Sequence, residues 1–157
     1  MSEALPRRGV IVIDRDAEFV ATLHRELARH GWDVRGADSL AAARRELVGT
    51  ADVVAAIVDL EMPGLEGAKA LRALAEICPE VLRCVTTSTS DAHAVMAFRR
   101  LNSTPLFAKP VLPCEIERVL REHARSSGVF TTSAVGGPPP RPRLRALAAE
   151  CQAPIRG

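Results

Sequence analysis

Four short apolar runs, each ending on a charged or hydroxyl-bearing residue, constrain this chain more than any other feature. They are Val10-Ile11-Val12-Ile13 into Asp14-Arg15-Asp16, and Val53-Val54-Ala55-Ala56-Ile57-Val58 into Asp59. The other two are Val81 to Val85 into Thr86-Thr87, and Leu106-Phe107-Ala108 into Lys109-Pro110. Runs of this length, the central one apolar on both faces, read as strands of a buried parallel sheet. Parallel strands point the same way, so the residues at their ends gather in one crevice, where open α/β sheets bind ligands. That crevice would collect a carboxylate from Asp59, a hydroxyl from Thr86 or Thr87, the Lys109 ammonium and further acids. Together they can accept and hold a phosphoryl group: the carboxylate attacks, the cation neutralises oxygen charge and the hydroxyl hydrogen-bonds an oxygen.

Between the runs the pattern switches to a helical period, giving the alternation of an α/β fold. Phe19, Val20, Leu23 and Leu27 share a helix face, and Gly31 closes that helix. Trp32-Asp33-Val34-Arg35 alternates as an edge strand, which makes Trp32 packing rather than a binding platform. Asp38 or Ser39 can cap the next helix, with Leu40, Ala43 and Leu47 inward and a stop near Gly49. Further helices are predicted over residues 66–77, 91–101 and 113–124, the last with Pro113 in its first turn. One domain over residues 8–125 accounts for this pattern, and at 157 residues and 47% apolar composition the chain suits a single core with a tail. Residues 126–157 change character. Gly136-Gly137-Pro138-Pro139-Pro140 reads as linker, and the basic stretch from Arg141 to Glu150 as a disordered tail or a segment that folds on a partner.

Composition narrows the function classes. A net charge of +2 gives no electrostatic reason to expect nucleic-acid or membrane binding. There is no apolar stretch of about 18 residues and no signal-peptide core, which points to the cytoplasm. The four cysteines lack metal-ligand spacing and read as reduced thiols; His24, His30, His93 and His123 are expected at surface positions.

The segment Val58-Asp59-Leu60-Glu61-Met62-Pro63-Gly64-Leu65-Glu66-Gly67, taken with Thr87 and Lys109-Pro110, resembles the receiver domain of two-component response regulators. The resemblance covers roughly Arg8 to Arg125. It implies a flavodoxin-like, doubly wound, five-stranded parallel sheet in the order 2-1-3-4-5 with helices on both faces. It also implies that Asp59 is the phosphoacceptor, Thr87 the switch hydroxyl and Lys109 the phosphoryl-pairing lysine, with a cis bond before Pro110. The cofactor implied is Mg²⁺, held by Asp14 and Asp59 with Asp16 as a further candidate. The partners implied are a histidine kinase or phosphotransfer protein and a downstream protein target. On this reading the chain is a stand-alone phosphorelay signalling domain, not an enzyme, with no output domain in its tail.

Two positions depart from the family pattern. Its second metal-binding acid is replaced by Arg15, whose guanidinium cannot ligate Mg²⁺ and repels it. Arg15 could instead be a built-in cation, in which case it should contact Asp14, Asp16 or Asp59. A cation next to Asp59 should lower the pKa of its carboxyl. The aromatic residue expected three before the lysine is Leu106, with Phe107 pointing to the opposite face of an extended segment. Two other readings follow. One is a pseudo-receiver that binds partners without phosphorylation. The other is a haloacid-dehalogenase-type phosphatase, in which Asp14 attacks and Asp16 acts as acid/base; it leaves the segment around Asp59 unexplained.

Overall fold

Parallel strands can be joined only by crossovers, and the helical segments of this sequence have the length to supply them. The computed structural model describes residues 8–48, 52–77, 79–90, 96 and 104–127. The strands are β1 (Arg8–Ile13), β2 (Trp32–Ala37), β3 (Val53–Asp59), β4 (Leu82–Thr87) and β5 (Leu106–Ala108). All pairings are parallel, and the order is β2-β1-β3-β4-β5, a flavodoxin-like α/β sheet. The described helices are α1 (Ala17–Ala28), α2 (Leu40–Val48), α3 (Glu66–Ile77) and α4 (Pro113–Ser126). Of the helix expected over residues 91–101 only Met96, which is helical, is described, and the expected linker and tail beyond Ser127 fall outside the described residues.

Alternation along the strands sends successive side chains to opposite faces and builds two cores. On one face Ile11, Ile13, Ala56 and Val58 meet Ala43 and Leu47 of α2 and Ala70 and Leu74 of α3. On the other, Val10, Val12, Ala55, Ile57 and Cys84 meet Leu23 and Leu27 of α1 and Ile116 and Leu120 of α4. Removing one of these fully buried side chains, as in Leu23→Ala, typically costs about 2–5 kcal/mol. The order of the sheet places β1 and β3 at its centre, and these are the strands that deliver Asp14 and Asp59.

Local chemistry fixes the ends of the elements. Asp16 caps α1 by accepting from the Phe19 N–H at 3.0 Å. Gly31, with φ at +84°, turns the chain into β2. Of the two caps considered for α2 the structure uses Ser39, whose Oγ accepts from the Ala42 N–H at 3.1 Å. A single 3₁₀ turn (Pro63–Leu65) precedes α3. Gly67 then lies so close to β3 that a Cβ there would sit 2.1 Å from the Asp59 carbonyl oxygen. Trp32 is buried among the α1 and α4 side chains, and the Arg8 guanidinium lies 5.6 Å from its ring centroid.

Candidate phosphoacceptor site

The register of the sheet brings the strand ends together. Asp59 is the last residue of β3 and pairs with Thr86, Thr87 closes β4 beside Ala108, and Lys109 follows β5 directly. Main-chain bonds fix this edge: Leu60 N–H donates to Thr86 O at 3.0 Å, and Lys109 N–H to Thr87 O at 2.8 Å. The Lys109-Pro110 bond is cis. Asp14 follows β1, its N–H donating to Ala37 O at 2.9 Å.

The structure thus assembles Asp14, Asp59 and Lys109. The Lys109 ammonium lies 2.7 Å from Asp14 Oδ2 and 3.8 Å from Asp59 Oδ2. It also lies 4.7 Å from the Phe19 ring centroid, a face that attracts cations. Asp14 is further held by the Asp16 main-chain N–H, which donates to its Oδ1 at 2.8 Å. Both acids are buried, Asp14 at 3% and Asp59 at 8% exposure. Buried acids this close are tolerated because a cation sits between them.

Asp59 corrects one expectation. Its carboxyl pKa is raised, not lowered. Burial is the largest cause; the Glu61 N–H, bonded to Oδ1 at 3.0 Å, works against it. The charge of Asp14 raises it further, Lys109 lowers it, and the charge of Glu61 raises it again. Lys109 does lie beside Asp59 but pairs more closely with Asp14, so its charge does not offset desolvation.

Arg15 corrects a second. Its side chain is exposed, and among the described residues it makes no hydrogen bond or ion pair with Asp14, Asp16 or Asp59. It lines a polar cleft with Asp38, Ser39, Gly64, Glu66 and Lys69. The built-in-cation reading therefore fails: the residue leaving β1 turns outward as Asp16 takes up its capping position.

Receiver domains commonly bind Mg²⁺ in this acidic pocket. The side chains here do not fit a tight site for it. Among the described residues no three His, Cys, Asp or Glu side chains stand close enough to hold an ion. Asp14 is paired with Lys109, the Asp16 carboxylate is spent on the α1 cap, and Arg15 supplies no oxygen.

Of the two adjacent threonines, Thr87 is the one that reaches the crevice. Its hydroxyl donates to Glu61 Oε1 at 3.1 Å, whereas Thr86 is fully buried and its Oγ1 has no partner among the described residues. Glu61 is the site residue that sequence reading missed. A carboxylate two residues past the acceptor, in the turn facing β4, was the available signal. Its other oxygen accepts from the Ser88 N–H at 2.5 Å. Burial works to raise its pKa, but the hydrogen bonds from Ser88, Thr87 and Thr89 outweigh it and the result is lowered.

Leu106 is buried in β5, and Phe107 packs on the α1/α4 core, so no aromatic ring takes the place three before Lys109. His24 and His30 are exposed and His123 is half-buried. Cys84 is a buried free thiol, its pKa pushed up to about 12 by desolvation, and Cys114 is free and exposed.

A doubly wound sheet with an acid, a hydroxyl and a lysine at its carboxyl edge defines a class of phosphoacceptor-like folds, and comparison with known proteins narrows it. The chain belongs to the response regulator receiver domain family, whose model matches residues 10–121. It is 28% identical over 125 residues to the transcriptional regulatory protein PrrA of Mycobacterium leprae, covering 80% of this chain and 53% of that protein. The chain thus spans about half the length of the curated relatives it matches. Its fold is similar to a receiver domain from Clostridium thermocellum, with a TM-score of 0.67 at 19% identity, covering 79% of this chain and 99% of that one. A response regulator from Burkholderia pseudomallei, solved with a phosphorylated aspartic acid, a calcium ion and citrate, matches at 28% identity and a TM-score of 0.60. That match covers 78% of this chain and 71% of the other. These matches leave the phosphatase reading without support. Among the described residues no helix is long and apolar enough to cross a membrane.

Proposed function

We propose that this chain is a phosphorelay domain that accepts a phosphoryl group on Asp59 from a histidine kinase or phosphotransfer protein and alters a protein-binding face. The domain is taken as residues 8–125, which the family match over 10–121 supports, and residues 126–157 are read from their composition as a linker and basic tail. In the transfer an Asp59 carboxylate oxygen attacks phosphorus and the bond to the donor imidazole nitrogen breaks. That nitrogen keeps the electron pair, and Asp59 becomes an acyl phosphate. Lys109 neutralises charge on the phosphoryl oxygens, and the Thr87 hydroxyl donates to one of them. The Thr87 displacement then biases a face of the domain by as much as the two states differ in their interaction with the phosphoryl group. A phosphorylated aspartic acid in the Burkholderia relative supports the chemistry.

The observation that carries this reading is the Lys109 ammonium held between Asp14 and Asp59. With only two acids facing the lysine, Mg²⁺ affinity at Asp14 and Asp59 is weak, and no step of the transfer above is assigned to the ion. One observation favours the pseudo-receiver instead: no three-acid metal group forms among the described residues. Labelling with radioactive acetyl phosphate, with and without Mg²⁺, separates the two. Base-labile label that Asp59→Asn abolishes is the expected result. No label under either condition would favour the phosphorylation-independent module.

A further inference from the structure

The phosphoryl-transfer reading leaves one carboxylate beside Asp59 without a role. Glu61 sits in the turn after β3, its own N–H anchored on Asp59 Oδ1 at 3.0 Å. From there its side chain crosses to the end of β4. One oxygen accepts from the Thr87 hydroxyl at 3.1 Å and the other from the Ser88 N–H at 2.5 Å. Thr87 Oγ1 in turn accepts from the Thr89 N–H at 3.1 Å, which orients the hydroxyl toward the acid. A glutamate on an exposed turn has water as an alternative partner and rotamer freedom to lose. Two converging donors to an ionised carboxylate give it a defined position, because charge-assisted hydrogen bonds are short and strong.

We propose that Glu61 is an internal anionic ligand of the Thr87–Ser88 donor pair, which a phosphoryl group on Asp59 must displace. The proposal rests on Asp59 being the acceptor. A phosphoryl group there carries its negative oxygens into the gap between Lys109 and β4, where Thr87 Oγ1 and Ser88 N are the donors at the strand end. The glutamate already uses both. Two anions cannot share one hydroxyl proton and one amide proton, and their charges repel at this separation. Glu61 is therefore a positioning residue with two effects. It holds Thr87 in place while Asp59 is unmodified, and it opposes accumulation of the acyl phosphate. Its own displacement becomes part of the switch, because the turn that carries it leaves β3 directly after Asp59 and is bonded to Asp59 Oδ1 through the Glu61 N–H.

The test uses the full chain and radioactive acetyl phosphate, with Asp59→Asn as the blank. Glu61→Ala and Glu61→Gln should each raise the steady-state level of Asp59-dependent label about tenfold, the worth of one charge-assisted hydrogen bond in a competition. Gln keeps the shape and an acceptor oxygen, so its agreement with Ala identifies the ionised carboxylate rather than packing as the cause. Glu66→Gln removes the same charge from the neighbouring cleft without touching Thr87 or Ser88, and should leave the level within about twofold. In amide NMR spectra the Ser88 proton should move upfield in Glu61→Ala and not in Glu66→Gln. Equal label in wild type and both Glu61 variants, or the same gain from Glu66→Gln, would overturn the competition while the acceptor reading stands. No Asp59-dependent label in any of the proteins would overturn both.

Discussion

Asp59 lies between two flanks that use an acid in different settings. On one side Asp14 holds the Lys109 ammonium at 2.7 Å, with both side chains largely withdrawn from water. On the other, Glu61 holds the Thr87 hydroxyl and the Ser88 N–H from an exposed turn. Burial makes the first pair costly to break, since the abandoned charge has no water to turn to. The second can exchange its partners for solvent at small cost. The lesson is a division of labour: the lysine flank is a fixed part of the fold, and the threonine flank is the part free to change.

The largest effect should come from breaking the fixed flank. Lys109→Met leaves Asp14 buried without its cation and is expected to cost about 3 kcal/mol in urea unfolding at neutral pH. A loss below about 1 kcal/mol would mean that Asp14 finds water and that the flanks do not differ as described.

A second test lies between the flanks, at Asp59, whose folded-state pKa is raised by burial foremost. For an acid the sign is then that the folded state binds the proton more tightly than the unfolded one. Stability falls as pH rises from the unfolded pKa through the folded one, and stays at the lower level above it. Asp59→Asn removes the buried charge, so it should be more stable than wild type at neutral pH. That advantage should shrink as pH falls through the raised folded pKa toward the ordinary carboxylate range, and be gone below it. An Asn variant less stable than wild type at neutral pH would show that Lys109 outweighs desolvation.

Smaller still is the expected effect of opening the movable flank. Glu61→Ala should change unfolding stability by less than about 1 kcal/mol, even though it changes the acyl-phosphate level. A loss as large as that of Lys109→Met would make Glu61 structural and erase the contrast.

The smallest effect should come from Arg15. Exposed and without an acidic partner among the described residues, it should tolerate replacement by Ala within about 0.5 kcal/mol. Arg15→Asp should nonetheless raise Mg²⁺ affinity in calorimetric titration, by adding oxygen ligands and removing a repelling charge beside Asp14. Unchanged affinity would place position 15 out of reach of the ion.

Much of the frame was legible because it follows from periodicity. The apolar runs fix β1 and β3, Pro113 marks the start of α4, and the segment between Glu66 and Pro79 gives α3 with its observed ends. The convergence of Asp14, Asp59 and Lys109 follows from parallel strands alone. What stayed hidden depends on where side chains turn after a strand ends. Asp14, Arg15 and Asp16 are adjacent in sequence, yet one is buried against a lysine, one points into an open cleft and one caps a helix. The capping role of Asp16 had a signal, an Asp just before the first residues of a helical period. The outward turn of Arg15 had none. Nor could sequence weigh desolvation against a nearby cation, so the direction of the Asp59 shift was misjudged. Glu61 was missed because its partners, Thr87 and Ser88, lie on another strand end and meet it only once β3 and β4 are in register.

In the proposed function Asp59, and not Asp14 or another acid of the crevice, carries the phosphoryl group. Borohydride reduction of the acetyl-phosphate-treated protein tests it most directly, because reduction converts an acyl phosphate of aspartate into homoserine that peptide sequencing can locate. Homoserine is expected at position 59 alone. Homoserine at position 14, or at no position while label is present, would contradict it.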